Sequence, residues 1–559
     1  MRLLLIASLL LLSAPVAGDD SGLSRNRSTG VDDASPHRLC GDDVIAPGVA
    51  RLLPGFGAGG LAISARTTKT QAFFDNGLQL SHAFAHEAGT AAFKESARLD
   101  PQCGMCVWGV AWSQGPTINY PIDAAAQVRL SKLVDGAIPL AATGPLLERQ
   151  MLAALSVRYK AGGGSGAGDV AFARAMDAIA RAHPENDEIA VIAADAWMIP
   201  AALGGDTGTL PHAVTLLETV LARNPDFTPA IHFYIHATEM SGFPKRAERY
   251  ADRLAALAPA ASHLIHMPSH TYYWVGRYHD ATEANVRAVA VGLADARAAR
   301  AVAPDGAFAL PYHAHNVHFG VGGALLAGDA ADALALSAAV LRVLPTRRKL
   351  APFEQMVGGT AYFAQGRFAD PAAALALPEP PARMVYLRGY RHYARGEVYA
   401  RLGDATGVRA EAAAIPYPAG PLERADASRQ ATNLLRIAKA VLLGRAAMIE
   451  RRYDAAIRAY AQAARFDEDR SMSEWNDPPI WWYPPRRSLA AALLAAGKPV
   501  DALREANAAL ARRPLDPVTL GVRAQIFLAL GKMAAAERDR ATADSTWRGD
   551  RSAFGPVLS

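Results

Sequence analysis

The chain has 559 residues, a net charge of +5 and only three cysteines. A single compact domain rarely reaches this length. The small positive charge forms no basic stripe with interleaved aromatic residues, so a nucleic-acid partner is not expected, and three cysteines are too few for a disulfide framework.

The N-terminal segment, 1–18, predicts export. Arg2 precedes an apolar run from Leu3 to Leu12, and the small residues of SAPVAG follow it. This run is too short to span a bilayer and is typical of a cleavable secretory signal peptide. No later run is apolar for long enough to cross a membrane. We therefore predict a periplasmic or secreted protein with no membrane span.

Residues 19–66 are rich in Gly, Asp, Ser and Arg and lack apolar periodicity, which predicts a poorly ordered leader. The paired cysteines Cys103 and Cys106 come next, in CGMC, and no histidine follows them to complete a haem-attachment motif. In an oxidising compartment this pair is expected to form a local disulfide, or else to remain as two packed thiols.

Residues 67–559 are dominated by alanine-rich helical patterns, and alanines recur in them at a fixed interval. The position numbers of Ala213, Ala247 and Ala281 differ by a constant 34. Proline follows twelve positions after an alanine in four places: Ala213/Pro225, Ala247/Pro259, Ala333/Pro345 and Ala502/Pro514. A period of 34 is that of the tetratricopeptide repeat, in which small residues let two helices approach and proline ends the second one. The prediction is an all-α solenoid of stacked helical hairpins, a right-handed superhelix with a concave inner surface.

Several longer phrases are more specific than the repeat itself: FDNGLQLSHAFAHEAGTAAFKESARLDP, HFYIHATE, HMPSHTYYWVGRYHDATEAN, HAHNVHF, YRHYARG and NDPPIWWYPPRRSLAAALLAAG. Through them, from about Phe74 to Lys532, the chain resembles a family of exported bacterial tetratricopeptide repeat proteins. The resemblance implies the repeat fold and the exported compartment, but no activity. It also implies that the first helix of each hairpin lines the concave groove.

Histidines occupy equivalent positions in three consecutive hairpins. His232, His266 and His318 each lie fifteen positions before a repeat alanine, and His236 and His270 lie eleven before one. Residues four apart share a helix face, so these side chains should line one wall of the groove, joined by His315. A single buried histidine is usually only a packed residue, but six in three matching places favour a metal site. Pro268 is an obstacle, because it places His266 before the helix that carries His270.

The residue types also bear on the metal and on the chemistry. Imidazole ligands suit copper, zinc and iron, and three helical histidine pairs resemble, by ligand count, dinuclear copper sites. Glu239 lies one turn after His236 and is a candidate ligand, orienting group or catalytic base. The prediction is a metal-dependent enzyme acting on an unknown small molecule or peptide, with copper favoured over zinc or iron and an oxidoreductase favoured over a hydrolase.

The alternative is a non-catalytic periplasmic module whose groove binds a peptide or protein partner without a metal. The sequence also leaves open whether His82, His86 or His313 belongs to the site. The proline-rich loop of residues 476–487 either covers the end of the groove or plugs the solenoid.

Overall fold

A computed structural model describes residues 50–162, 166–298, 312–344, 350–417, 426–473, 478–550, 555 and 557–559. The predicted signal peptide and residues 19–49 of the predicted leader lie outside these ranges, as does Pro345.

The described residues form α-helices joined by short connections, with no β-strand among them. The first eight helices are α1 Thr68–His82, α2 His86–Leu99, α3 Gly104–Ser113, α4 Ala124–Ala137, α5 Leu146–Lys160, α6 Ala167–Ala182, α7 Asp187–Gly204 and α8 Leu210–Arg223. The next nine are α9 Thr228–Met240, α10 Glu248–Leu257, α11 Ser262–His266, α12 Pro268–Val275, α13 Tyr278–Ala298, α14 His313–Ala327, α15 Ala330–Val343, α16 Pro352–Phe368 and α17 Pro371–Leu375. The last nine are α18 Val385–Arg401, α19 Ala405–Ala414, α20 Asp426–Ile449, α21 Tyr453–Asp467, α22 Arg470–Ser473, α23 Arg486–Ala495, α24 Pro499–Arg512, α25 Pro517–Ala529 and α26 Met533–Thr546.

The helices stack as hairpins. Most helices pack against the next one along the chain, and α14, α16, α18 and α20 also pack against one another in succession. This arrangement is typical of a solenoid, in which each hairpin buries its apolar face against its neighbours. The repeat alanines are all completely buried: Ala213, Ala247, Ala281, Ala333 and Ala502. Helices α8, α10 and α24 end within two residues of Pro225, Pro259 and Pro514. The predicted all-α tetratricopeptide-type solenoid is confirmed.

Residues 50–66, the described part of the predicted leader, run across several hairpins without forming a helix. The amide of Ala58 donates to Thr228 Oγ1 at 2.6 Å, and the amide of Ser64 donates to Glu148 Oε1 at 2.5 Å. This segment is therefore tied to helices that are far from it in the sequence.

Residues near the C-terminus contact the middle of the chain. The hydroxyl of Tyr278 donates to the carbonyl oxygen of Pro514 at 2.7 Å. Gly276, which ends α12 with a φ of 86°, lies against the same loop. A Cβ atom on Gly276 would lie 2.5 Å from that carbonyl oxygen, so both the conformation and the close approach require glycine. This contact fixes the end of α12, the helix that carries His270.

Two further sequence predictions concern the described residues. Cys103 and Cys106 form a disulfide, as expected from CGMC. None of the described helices combines the length and the apolar character needed to cross a membrane.

Candidate metal centre

Four helices bring the histidines together. Helix α9 carries His232 and His236, α11 carries His263 and His266, α12 begins at Pro268 and carries His270, and α14 carries His315. Met267, between α11 and α12, has helical φ and ψ angles of −51° and −37°, so the chain continues in nearly the same direction through the break. Pro268 was expected to separate His266 from the helix that carries His270. The imidazoles of His266 and His270 nevertheless lie close together.

The first group consists of His232, His236 and His263. Their potential ligand atoms lie within 4.8 Å of one another. Nδ1 of His232 donates to the main-chain oxygen of His82 at 2.7 Å, which leaves the Nε2 electron pair of His232 facing Nε2 of His263 at 3.1 Å. Nε2 of His236 is buried and has no hydrogen-bond partner within the described ranges.

The second group consists of His266, His270 and His315, again with potential ligand atoms within 4.8 Å. Nδ1 of His266 donates to Asn285 Oδ1 at 2.7 Å. The amide group of Asn285 donates to the carbonyl oxygen of Ala281, which fixes Oδ1 as the atom that faces His266. The neutral form of His266 therefore carries its electron pair on Nε2.

His270 is held in the same tautomer as His266. Nδ1 of His270 donates to Glu239 Oε2 at 2.8 Å, so its electron pair also lies on Nε2. The two Nε2 atoms of His266 and His270 face each other at 3.0 Å. Two electron pairs repel each other at this distance unless a cation or a proton lies between them.

Glu239 joins the two groups. Its Oε1 accepts a hydrogen bond from Nε1 of Trp274 at 2.7 Å, while Oε2 accepts from His270. Glu239 also forms a third potential ligand group with His236 and His270. Both carboxylate oxygens of Glu239 already accept hydrogen bonds from N–H groups. Glu239 is therefore placed to orient a ligand histidine and not to bind the metal itself.

Aromatic side chains cover the histidines. The ring of Phe84 lies 4.5 Å from that of His232 and 4.9 Å from that of His263, and Tyr312 lies 4.3 Å from His263. Phe84 and Tyr312 both have a positive φ, 57° and 55°, a conformation that is costly for bulky residues. The histidines are therefore in a closed interior, whereas the sequence placed them on an open groove wall. The open position was expected because the sequence pattern does not show that distant aromatic residues fold over the site.

Burial determines the charge state of the cluster. It lowers the pKa of His232 to about 3, and it lowers the pKa values of His236 and His266 well below the ordinary value. Burial and neighbouring histidines act in the same direction on the pKa values of His263 and His315. These imidazoles are therefore neutral near pH 7, the state in which they bind a metal ion.

Five of the six predicted metal ligands lie in the two groups: His232, His236, His266, His270 and His315. His318 is buried next to them, but it is in neither group. His263 completes the first group and was missed, although its place one helical turn before His266 is a usable signal. His82, His86 and His313 are also in neither group, and His82 instead binds Glu188 Oε1 at 2.5 Å.

The geometry suits a transition metal ion. Two nitrogens bound to one tetrahedral zinc ion at about 2.0–2.1 Å lie roughly 3.3 Å apart. The Nε2 separations of 3.0 and 3.1 Å are close to that value. Imidazole nitrogens suit copper, zinc and iron alike, so the ligand set defines a class of metals and not one element.

No family model matches the chain, and no curated protein matches it. Similar solved structures include the TPR domain of P58(IPK), with 14% identity, 63% of this chain and 92% of that chain covered, and a TM-score of 0.19. The human IFIT1 dimer with m7Gppp-AAAA has 13% identity, with 87% and 91% covered and a TM-score of 0.27. The APC/C hetero-tetramer Cut9–Hcn1 has 11% identity, with 88% and 90% covered and a TM-score of 0.25. These similarities carry no argument about function.

Proposed function

We propose that this protein is exported, binds transition metal ions at its buried histidine groups and uses them in catalysis, as an oxidoreductase more than as a hydrolase. The observation that carries the proposal is the pair of Nε2 atoms of His266 and His270, which face each other at 3.0 Å.

A metal ion is the better of the two explanations for this pair. A shared proton would make one ring an imidazolium ion, and burial lowers the pKa of His266 well below the ordinary value. A metal ion instead accepts both electron pairs at once and binds neutral imidazoles. His315 supplies a third nitrogen to the same group. Three protein ligands leave a coordination position for water or a substrate, as in catalytic zinc sites.

The surroundings favour a small substrate. The aromatic rings of Phe84, Tyr312 and Phe319 lie against the histidines, which are at most 9% exposed. A bulky ester or peptide has no room beside them, whereas dioxygen and other small molecules can diffuse through a protein interior. A copper or iron ion held here would exchange electrons with such a molecule. Glu239 would keep His270 in the ligand tautomer, since it accepts the Nδ1 proton.

Elemental analysis of protein purified without an affinity tag tests metal binding. We expect copper, zinc or iron near stoichiometric amounts, and much less metal in His266→Ala and His270→Ala. The control is His212→Ala, which removes a histidine that is paired with Asp177 outside the groups. Circular dichroism should show the same helix content in all variants, because stacked hairpins supply the core. Full metal content in both variants, or no metal in the wild type after reconstitution, would favour the partner-binding module.

Oxygen consumption tests the catalytic part separately. The copper- or iron-loaded protein, supplied with ascorbate as reductant, is expected to consume dioxygen faster than the same protein treated with a chelator. Metal binding without such a difference would reject the oxidoreductase and leave the binding site in place. Export is tested by cell fractionation and by the N-terminal sequence of the mature protein, which we expect to begin near residue 18 or 19.

A further inference from the structure

A second cluster of unusual side chains lies in the C-terminal half of the chain and contains none of the histidines of the two groups. It consists of Arg367 at the end of α16, Arg487 at the start of α23, and Trp482 in the connection before α23. The guanidinium carbon of Arg367 lies 4.5 Å from the centroid of the Trp482 ring, and that of Arg487 lies 5.1 Å from it. Arg487 is completely buried and Trp482 is 3% exposed.

This cluster has hydrogen-bond donors without acceptors. Nε and Nη2 of Arg367, Nε and Nη2 of Arg487, and Nε1 of Trp482 are all buried, and no described residue accepts from them. Among the described residues, the acceptor in contact with this cluster is Asp516, which accepts from Nη1 of Arg487 at 3.2 and 3.3 Å. Buried donors are nearly always satisfied, so five unpaired nitrogens around one ring indicate an acceptor that is not among the residues that the structure describes.

Two other buried arginines in this protein have several acceptors each. Arg158 donates to Asp169 at 2.9 Å and to the carbonyl oxygen of Pro116 at 3.0 Å. Arg445 donates to Glu397 at 3.1 Å and to the main-chain oxygens of Val557 and Ser559. Arg513 is also buried and has one unpaired nitrogen, Nε, so it is the four unpaired nitrogens of Arg367 and Arg487 around one ring that distinguish this cluster.

The charges are unbalanced in the same place. Asp516 pairs with Arg487 and Glu397 pairs with Arg445, whereas Arg367 has no ion pair with any residue that the structure describes. Burial, followed by the positive charge of Arg487, lowers the pKa of Arg367 to about 9. A negative charge next to Arg367 would offset both effects.

We propose that Arg367, Arg487 and Trp482 form a binding site for a small oxyanion, either inorganic phosphate or the carboxylate of a small molecule. Arginine presents its N–H groups as a planar fork that matches the oxygen atoms of these anions. A water molecule accepts too few hydrogen bonds for this set of donors and brings no negative charge. Arg367 keeps part of its surface in contact with solvent, which gives the anion a way in.

The test compares phosphate and acetate with chloride at equal ionic strength, by thermal unfolding and by isothermal titration calorimetry. Sulfate is left out of all buffers. In the wild type we expect one of the two anions to raise the Tm in a saturable way, because it binds the folded state alone. A phosphate response identifies a phosphate site, and a response to acetate alone identifies a carboxylate site.

The variants assign the response to this cluster. Arg367→Gln should weaken anion binding at least tenfold, and Arg367→Lys should weaken it less because the charge remains. The control is Arg436→Gln, since Arg436 also lies over an aromatic ring, that of Phe466 at 5.4 Å, but donates to Asn433. Without an anion, Arg367→Gln should unfold at the wild-type Tm or above, because it removes an unpaired buried charge.

Three results would overturn the proposal. These are a wild type with no saturable response to either anion, an Arg367→Gln variant that binds the anion as well as the wild type does, and an Arg436→Gln variant that loses binding equally. The measurements are made on protein freed of metal by a chelator and again after metal loading. The outcome is thus independent of the histidine groups.

Discussion

Acidification should destabilise this protein through its buried histidines, and His318 offers the clearest measure of the effect. Burial lowers its pKa to about 3 from the ordinary 6.5. Above pH 6.5 both the folded and the unfolded states are neutral at this position. Below that pH the unfolded state binds a proton that the folded state does not, so stability is lost as the pH falls.

The size of the effect follows from the shift. Each pH unit between the two pKa values costs about 1.4 kcal/mol of unfolding free energy for one histidine. Between the ordinary pKa and about pH 5, His318 alone should therefore account for a loss of roughly 2 kcal/mol. His318→Gln cannot take up this proton, so its stability should fall by that much less over the same interval.

Urea unfolding followed by circular dichroism measures the difference, on protein kept free of metal with a chelator. The control is His183→Gln, which removes a histidine whose side chain is 32% exposed. The quantity compared is the change in unfolding free energy with pH, so a different starting stability of either variant does not matter. An equal pH dependence in His318→Gln and His183→Gln would refute the reasoning.

Three further predictions concern other parts of the molecule. Glu239→Gln should lower metal affinity about 10- to 100-fold in a chelator competition, because His270 loses the carboxylate that orients it; Glu283→Gln, an exposed carboxylate on α13, should not. Ala247→Leu should lower the free energy of unfolding by about 1–3 kcal/mol, measured by thermal or urea unfolding, because Ala247 is completely buried between helices. Ala373→Leu, at an exposed position, should change this free energy little. Replacing Cys103 and Cys106 with serine should lower the free energy of unfolding by about 2 kcal/mol, because the disulfide closes only a short loop. The metal content should stay unchanged, and a loss of metal would show that the ligands are misplaced.

The fold could be predicted from the sequence because its signals are local and periodic. Ala213, Ala247 and Ala281 recur with one constant period, and each occupies the same completely buried place between two helices. A repeat needs only contacts with its neighbours, so a pattern of neighbouring residues determines it.

The candidate site was predictable only in part. Spacing along one helix identified His232 and His236, and the repeat period added His266 and His270. The partners that fix the ring tautomers come from elsewhere: Asn285 lies on α13, and the carbonyl oxygen that holds His232 belongs to His82 at the end of α1.

The cover of the site was not predictable for the same reason. Phe84 precedes α2 and Tyr312 precedes α14, so they are far apart in the sequence, yet their rings are 6.1 Å apart over His263. Neither residue belongs to a periodic pattern, and both have a backbone conformation that sequence preferences would not assign to a bulky aromatic residue.

The segment of residues 50–66 has a consequence for the order in which the chain assembles. It emerges before any hairpin does, but the amide of Ala58 finds its acceptor in Thr228, 170 residues later. A simple repeat array can fold hairpin by hairpin as it is made, because every contact is with a neighbour. Here the amides of Leu53, Leu61 and Ile63 find acceptors on α1, directly after the segment, whereas the amide of Ala58 must wait until α9 has been produced. Such long-range closure is slow, so a chain truncated before α9 should fold its hairpins and still leave the residues around Ala58 more susceptible to proteases than they are in the full chain.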